Sequence, residues 1–221
     1  MQQRSSSTRI KSFLLHSVAT ASLLWSFNWV EKNGDLAIRN SYGSHFQHLT
    51  ILSLAITLLT MLVSLLADIT DWKVFHNIKP VLLYIVCPLE SIVTVLYWSI
   101  VMYDRSLLIP KTRPIQLPLD FDLSVHLMPT VFCLLDYLFF SPPFSLSFKV
   151  STLLYLAVAF SYMWWVEKCY EVNKFYAYPI LAILEPVQKG ILYGTACVLS
   201  LLSYIVLKTV HPYALPPHNA R

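Results

Sequence analysis

The sequence predicts an all-α, polytopic membrane protein, a single bundle of about six transmembrane helices. Three observations predict it. Of 221 residues, 56% are hydrophobic and 13% charged, whereas soluble domains carry roughly 25% charged residues. A bilayer accounts for the deficit, because lipid-facing side chains can be apolar all round. The mean hydropathy of +0.57 is gathered into six stretches, each near the roughly 20 residues that a helix needs to cross the hydrocarbon core. Only four glycines occur, and the stretches do not alternate with period two, which argues against a membrane β-barrel.

The first stretch, residues 13–30, follows a basic cluster of Arg4, Arg9 and Lys11. Ala19-Thr20-Ala21 has the letters of a signal-peptide cleavage site, but Leu23, Leu24 and Trp25 still follow it. A retained signal-anchor helix is therefore expected. The second stretch, 47–67, stops at Asp68, Asp71 and Lys73. The third, 80–103, contains Pro88 and Glu90. The fourth, 123–140, is short and holds Pro129 and Asp136. The fifth, 148–166, closes on Trp164, Trp165 and Glu167, and the sixth, 187–207, ends at Lys208. Tyr97, Trp98, Tyr103, Trp164, Trp165 and Tyr170 near the ends suit aromatic belts at the membrane interfaces. The chain reads as one transmembrane domain, with residues 211–221, rich in proline, as an extended tail.

The net charge of +4 is scattered. The N-terminal basic cluster reads as a topology or lipid-headgroup signal, and nucleic acid is not an expected partner. With six spans, the 16 basic residues divide equally between the two sides, so the positive-inside rule does not orient the chain. Cys87, Cys133, Cys169 and Cys197 are isolated, without any CxxC. They read as small buried hydrophobes.

The span count decides which polar groups can meet. Thr50 lies just inside the start of the second stretch and His126 just inside the start of the fourth. In a six-span chain both enter from the same side. At 1.5 Å per residue, each sits roughly 5 Å below that interface. Asp104 closes the third stretch on this side, and the connection carrying Tyr178-Pro179 emerges there too. A hydroxyl becomes a useful nucleophile when a neighbouring base takes its proton, and a carboxylate can hold that base in one tautomer. A site at this depth also suits an ester whose chains lie in the bilayer. The alternative roles are ordinary: threonine caps helix ends, and a histidine in a membrane hydrogen-bonds between helices.

Other polar groups allow other readings. Glu90 and Asp136 lie deep in apolar stretches, where carboxylates are functional suspects, for proton relay or transport, or else form interhelical hydrogen bonds. His45, His48 and His126 are a conceivable metal set, weaker than an interfacial role because no carboxylate accompanies them locally. Neither a Gly-rich phosphate loop, a GxSxG elbow nor an HExxH motif occurs. No metal and no cofactor is expected.

Several stretches together resemble a known family. They are Tyr42-Gly43 running to Leu49-Thr50, Tyr97-Trp98 leading to Tyr103-Asp104-Arg105 and Pro110-Lys111, and His126 followed by an apolar helix. Trp164-Trp165-Val166 and Tyr178-Pro179 ahead of Pro186 complete the set. In order, spacing and hydropathy the chain resembles the family of the androgen-induced protein and the androgen-dependent TFPI-regulating protein. These are six-span hydrolases of fatty-acid esters of hydroxy fatty acids. There a threonine and a histidine are the implicated catalytic pair. The resemblance places them at Thr50, in HLT, and His126, in SVHLMP. It implies a threonine nucleophile attacking the ester carbonyl, His126 as general base and then acid, and an acyl-threonine released by water. One departure is Leu123, where the family often has a second histidine. Differences in the loop after the second stretch and in the connection before His126 bear on substrate range. A role for Asp104 in orienting His126 comes from its depth alone, its alternative being an interfacial salt bridge with Arg105 or Lys111.

The sequence thus leads to a lipid-ester hydrolase in an endoplasmic-reticulum or other endomembrane bilayer, with the plasma membrane as alternative. Its rivals are a non-enzymatic membrane regulator or scaffold and a small transporter using Glu90 and Asp136.

Overall fold

The computed structural model describes residues 6–111 and 117–214, with side chains up to residue 211. All six predicted stretches are helical. They correspond to α1 (Ser6–Asn33), α3 (Leu49–Thr70), α4 (Lys73–Asp104), the pair α5 (Leu119–His126) and α6 (Met128–Phe140), α7 (Phe148–Asn173) and α9 (Pro186–Ala214). Single turns α2 (Leu36–Arg39) and α8 (Ile180–Ile183) lie in the first and last long connections. Among the described residues, four helices, α3, α4, α7 and α9, are long and apolar enough to cross a membrane, and α5–α6 makes a fifth if the bent pair is one span. The first helix has the length, yet it carries Ser12, His16, Thr20 and Ser26, all turned into the protein.

The helices outrun the apolar stretches because a helix continues through the headgroup layer, where its backbone still bonds internally. Thus α4 starts at Lys73, seven residues ahead of the predicted position, and keeps both Pro80 and Pro88 inside it. Proline at 88 removes the N–H that would serve the Tyr84 carbonyl four residues back. That carbonyl instead accepts from the Tyr155 hydroxyl of α7 at 2.9 Å. The sixth helix continues through Ala214 where the sequence suggested an extended tail. His211 is buried in it, its Nε2 2.9 Å from the Ser141 carbonyl. Residues 215–221 lie outside the described ones.

In the fourth stretch the helix breaks. Leu127 sits between α5 and α6 with φ −129° and ψ −50°, and the two segments meet at about 40°. Pro129 accounts for it, since proline cannot donate to the carbonyl of residue 125 and is accommodated as the second residue of a new helix, where no intrahelical donor is needed. The His126 carbonyl, released at the break, accepts from the Thr94 hydroxyl at 2.6 Å. The break therefore ends α5 on His126.

Helix α1 packs on α3, α5 and α6; α4 packs on α3, α6 and α9; and α7 packs along α9. Ala19, Leu23, Leu54, Met61, Leu83, Val86, Cys87, Cys133 and Tyr137 form the shared core. Leu14, Leu59, Val81, Leu153, Phe160, Trp164 and Val198 are exposed and make the lipid-facing surface of a spanning bundle. All four cysteines are free and buried.

One end of the bundle is cross-linked by charge. Lys79 Nζ lies 2.5 Å and His16 Nε2 3.1 Å from Asp136 Oδ1, while His16 Nδ1 lies 2.6 Å from Asp68 Oδ2. Ser12 donates to the other Asp68 oxygen at 2.6 Å, and Arg9 donates to the Asp68 carbonyl. Glu90 is separate from this network and accepts from the Thr57 hydroxyl at 2.6 Å.

Candidate active site

The opposite end of the bundle holds Thr50. Here the chain enters α3 through a turn at Gly43, whose φ of +82° favours glycine. A Cβ at that position would meet Cys169 Sγ at 2.8 Å and Trp165 Cζ2 at 3.0 Å. The turn is pinned to α7. Trp165 Nε1 donates to the Phe46 carbonyl at 2.9 Å, the Tyr162 hydroxyl to the Gln47 carbonyl at 3.1 Å, and Asn173 Nδ2 to the Tyr42 carbonyl at 2.9 Å. His48, extended at φ −85° and ψ 130°, leads into the helix.

Thr50 is buried as the second residue of α3. The first N–H groups of any helix lack intrahelical acceptors, and here the Tyr162 hydroxyl supplies one. Leu49 N–H donates to the Tyr162 hydroxyl at 3.1 Å. Tyr178 stands beside Thr50 on the walls of the same cavities. Burial raises the pKa of the Tyr178 phenol, with the neighbouring Thr50 and Leu49 opposing the shift, so it remains a neutral hydroxyl.

His126 is held by Asp122, one helical turn earlier. Its Nδ1 lies 2.8 Å from Asp122 Oδ1 and 3.1 Å from the Asp122 carbonyl. Both are acceptors, so Nδ1 carries the hydrogen and Nε2 keeps its lone pair. The Tyr97 hydroxyl donates to the same Asp122 oxygen at 2.5 Å. The Tyr97 ring lies parallel to the imidazole with centroids 3.3 Å apart.

Asp104 does not reach this histidine. It is exposed, and its carboxylate accepts from the N–H and hydroxyl of Ser106, at 2.9 and 2.7 Å, capping the short turn Arg105–Leu107. The carboxylate that orients His126 is Asp122, which sequence reasoning passed over as the end of a connection. The signal was present in DLSVH, since an aspartate four residues before a histidine shares its helix face. Leu123 lies outside the cavity lining.

Thr50 and His126 line one cavity of about 150 Å³, together with Trp29, Asp35, His48 and Tyr176. A second cavity of about 130 Å³ extends from Thr50 between α4, α7 and α9, lined by Leu89, Val93, Val158, Ala159 and Ala196 among others. Thr50, Tyr97, Leu108 and Tyr178 line both.

His48 Nδ1 bonds the His45 carbonyl at 3.1 Å, and its ring meets Tyr178 edge-on at 5.0 Å. Burial lowers the His45 pKa and pushes that of His48 down to about 4, so both imidazoles are neutral near pH 7. Among the described residues, no three histidine, cysteine or carboxylate side chains cluster as metal ligands. The His45, His48 and His126 set is therefore not gathered. Glu90 and Asp136 line neither cavity.

Comparison with known proteins sets this geometry in a family. The model of the FAR-17a/AIG1-like proteins matches residues 11–212. A UPF0641 membrane protein of Schizosaccharomyces pombe is 66% identical over 216 residues, covering 98% of this chain and 97% of the relative. A UPF0641 membrane protein of Saccharomyces cerevisiae is 25% identical over 193 residues, covering 78% and 79%. No solved structure matches. Both relatives are named membrane proteins, in agreement with the apolar helices described above.

Proposed function

The chain belongs to the FAR-17a/AIG1-like family, and within it we propose a membrane-embedded hydrolase that cleaves carboxylic esters of lipids, such as fatty-acid esters of hydroxy fatty acids. The observation that carries the proposal is one cavity lined by Thr50 and by a His126 whose Nδ1 is fixed on Asp122, leaving Nε2 free to act as base. The sequence resemblance independently names the same two residues.

The chemistry follows from these groups. His126 Nε2 takes the Thr50 proton as Thr50 Oγ1 bonds to the ester carbonyl carbon. Charge developing on the carbonyl oxygen meets the positive end of the α3 dipole, with the Tyr178 hydroxyl on the same cavity wall as donor. The carbon–oxygen bond to the alcohol then breaks, and His126 returns its proton to the leaving oxygen. Water, deprotonated by His126, attacks the acyl-threonine and frees the acid together with Thr50. Asp122 stays ionised and stabilises the imidazolium in both half-reactions. The scheme needs no cofactor. An endoplasmic-reticulum or other endomembrane location is part of the proposal.

The test uses purified protein in lipid nanodiscs, offered a branched fatty-acid ester. Hydrolysis is expected, with losses of about 10³-fold or more in Thr50→Ala and His126→Ala. Turnover that survives either substitution refutes the mechanism. Wild-type protein that moves solutes across liposomes without hydrolysing esters supports the transporter instead.

A further inference from the structure

We propose that the apolar cavity between α4, α7 and α9 is the subsite for the acyl chain, and that the alcohol half of the ester occupies the more polar of the two cavities, the one lined by Asp35, His48 and His126. This inference rests on the hydrolase reading for its catalytic direction, but the apolar subsite also stands on its own lining.

That lining calls for an apolar occupant. Leu89, Val93, Leu96 and Ile100 face it along one side of α4, with Ala159 and Ala196 opposite on α7 and α9. Three wall hydroxyls are engaged, and among the described residues that of Tyr193 is buried without a hydrogen-bond partner. The Tyr155 hydroxyl donates to the Tyr84 carbonyl, the Tyr162 hydroxyl to the Gln47 carbonyl, and the Ser200 hydroxyl to the Ala196 carbonyl. An occupant therefore gains burial and little hydrogen bonding. The lining of α4 extends from Ile85 to Ile100, about 22 Å at the rise of a helix. That exceeds half of the roughly 30 Å hydrocarbon core, the length scale of a membrane fatty acyl chain.

The cavity is held open from both ends. Helix α7 is tied to α4 through Tyr155 and Tyr84, and to the turn before α3 through Tyr162, Trp165 and Asn173. Between these ties stand the small side chains of Ala159 and Ala196.

The direction of the substrate follows from His126. Thr50 lines both cavities, whereas His126 lines the polar one and not the apolar one. In the first half-reaction His126 gives its proton to the departing alcohol, and in the second it takes one from the incoming water. Both therefore use the polar side. The acyl group, bonded to Thr50 Oγ1 between the two events, is left to the dry side.

The experiment has two arms. In the first, esters with butyryl to palmitoyl acyl chains on one hydroxy acid are compared in wild type, Ala196→Phe, Ala159→Phe and Ile109→Trp. Filling the apolar cavity is expected to lower kcat/KM for palmitoyl over butyryl esters by at least about tenfold. Ile109→Trp, in the polar cavity, should instead alter tolerance of the alcohol and leave acyl-length preference alone. In the second arm, a palmitic acid carrying a diazirine at its methyl end is photolysed on the wild-type protein. Adducts are expected on residues 155–159 or 196–200, suppressed by unlabelled palmitate and by Ala196→Phe. Adducts confined to the polar cavity, or acyl-length preference that follows Ile109→Trp, overturn the assignment. Adducts at the expected peptides in a protein without hydrolysis would retain the acyl site and remove the hydrolase reading. Hydrolysis with an unmoved length profile and no such adducts does the reverse.

Discussion

At the scale of single residues, the account turns on which groups touch His126. Asp122 holds its Nδ1–H, so Asp122→Asn is expected to offer the wrong hydrogen-bonding partner and favour the wrong tautomer. Ester turnover should fall by on the order of 10³–10⁴-fold with the fold intact. Asp104→Ala should leave kcat unchanged, because that carboxylate serves only a solvent-facing turn. Equal losses in the two variants would contradict the assignment. His48 supplies a pH dependence. Its pKa is depressed by burial from 6.5 to about 4, so the unfolded chain binds the proton first as pH falls between those values. The contribution of His48 to folding stability is therefore full above pH 6.5 and is lost as pH drops towards 4. Thermal unfolding in nanodiscs should show a lower midpoint at about pH 5 than at about pH 7, with a smaller difference in His48→Gln.

At the scale of elements, the start of α3 is placed by the Gly43 turn rather than by α3 itself. Gly43→Ala puts a Cβ 2.8 Å from Cys169 Sγ in a left-handed conformation, for a cost of at least about 1–2 kcal/mol. Lower thermal stability and lower turnover are both expected, since the turn carries Thr50; a variant matching wild type in both would show that the turn does not position the site. Six helices were legible in the sequence because a span of lipid demands an apolar run of known length, but among the described residues only four, or five with the bent pair, are apolar enough to span, and α1, with its buried serines and His16, is not one of them. The helix ends were not legible, because Lys73 to Lys79 bond internally as helix while looking like a connection. Pro129 was visible, but not its effect of ending α5 on His126. Depth and motifs singled out Thr50 and His126 as candidates, and the two line one cavity. Asp122 was missed because depth was counted from the apolar boundary, which starts one residue after it.

At the scale of the molecule, the bundle has a reactive-looking end and a clamped end. The clamp joins α1, α3, α4 and α6 through His16, Asp68, Lys79 and Asp136. Lys79→Met should destabilise the bundle by about 3–5 kcal/mol by leaving a buried carboxylate without its ammonium partner, whereas Lys79→Met with Asp136→Leu should recover much of that loss. Activity per folded molecule should stay at the wild-type level, since none of these residues lines either cavity. Proton-coupled transport through Asp136 would show the opposite pattern, a folded double variant with its cellular function lost. The central claim is that Thr50 is the nucleophile, and mass spectrometry after fluorophosphonate labelling of the wild-type protein in nanodiscs tests it most directly. The account predicts a phosphonyl adduct on the peptide containing Thr50, absent from Thr50→Ala and diminished in His126→Ala. An adduct on another residue, or undiminished labelling of Thr50→Ala, would contradict it.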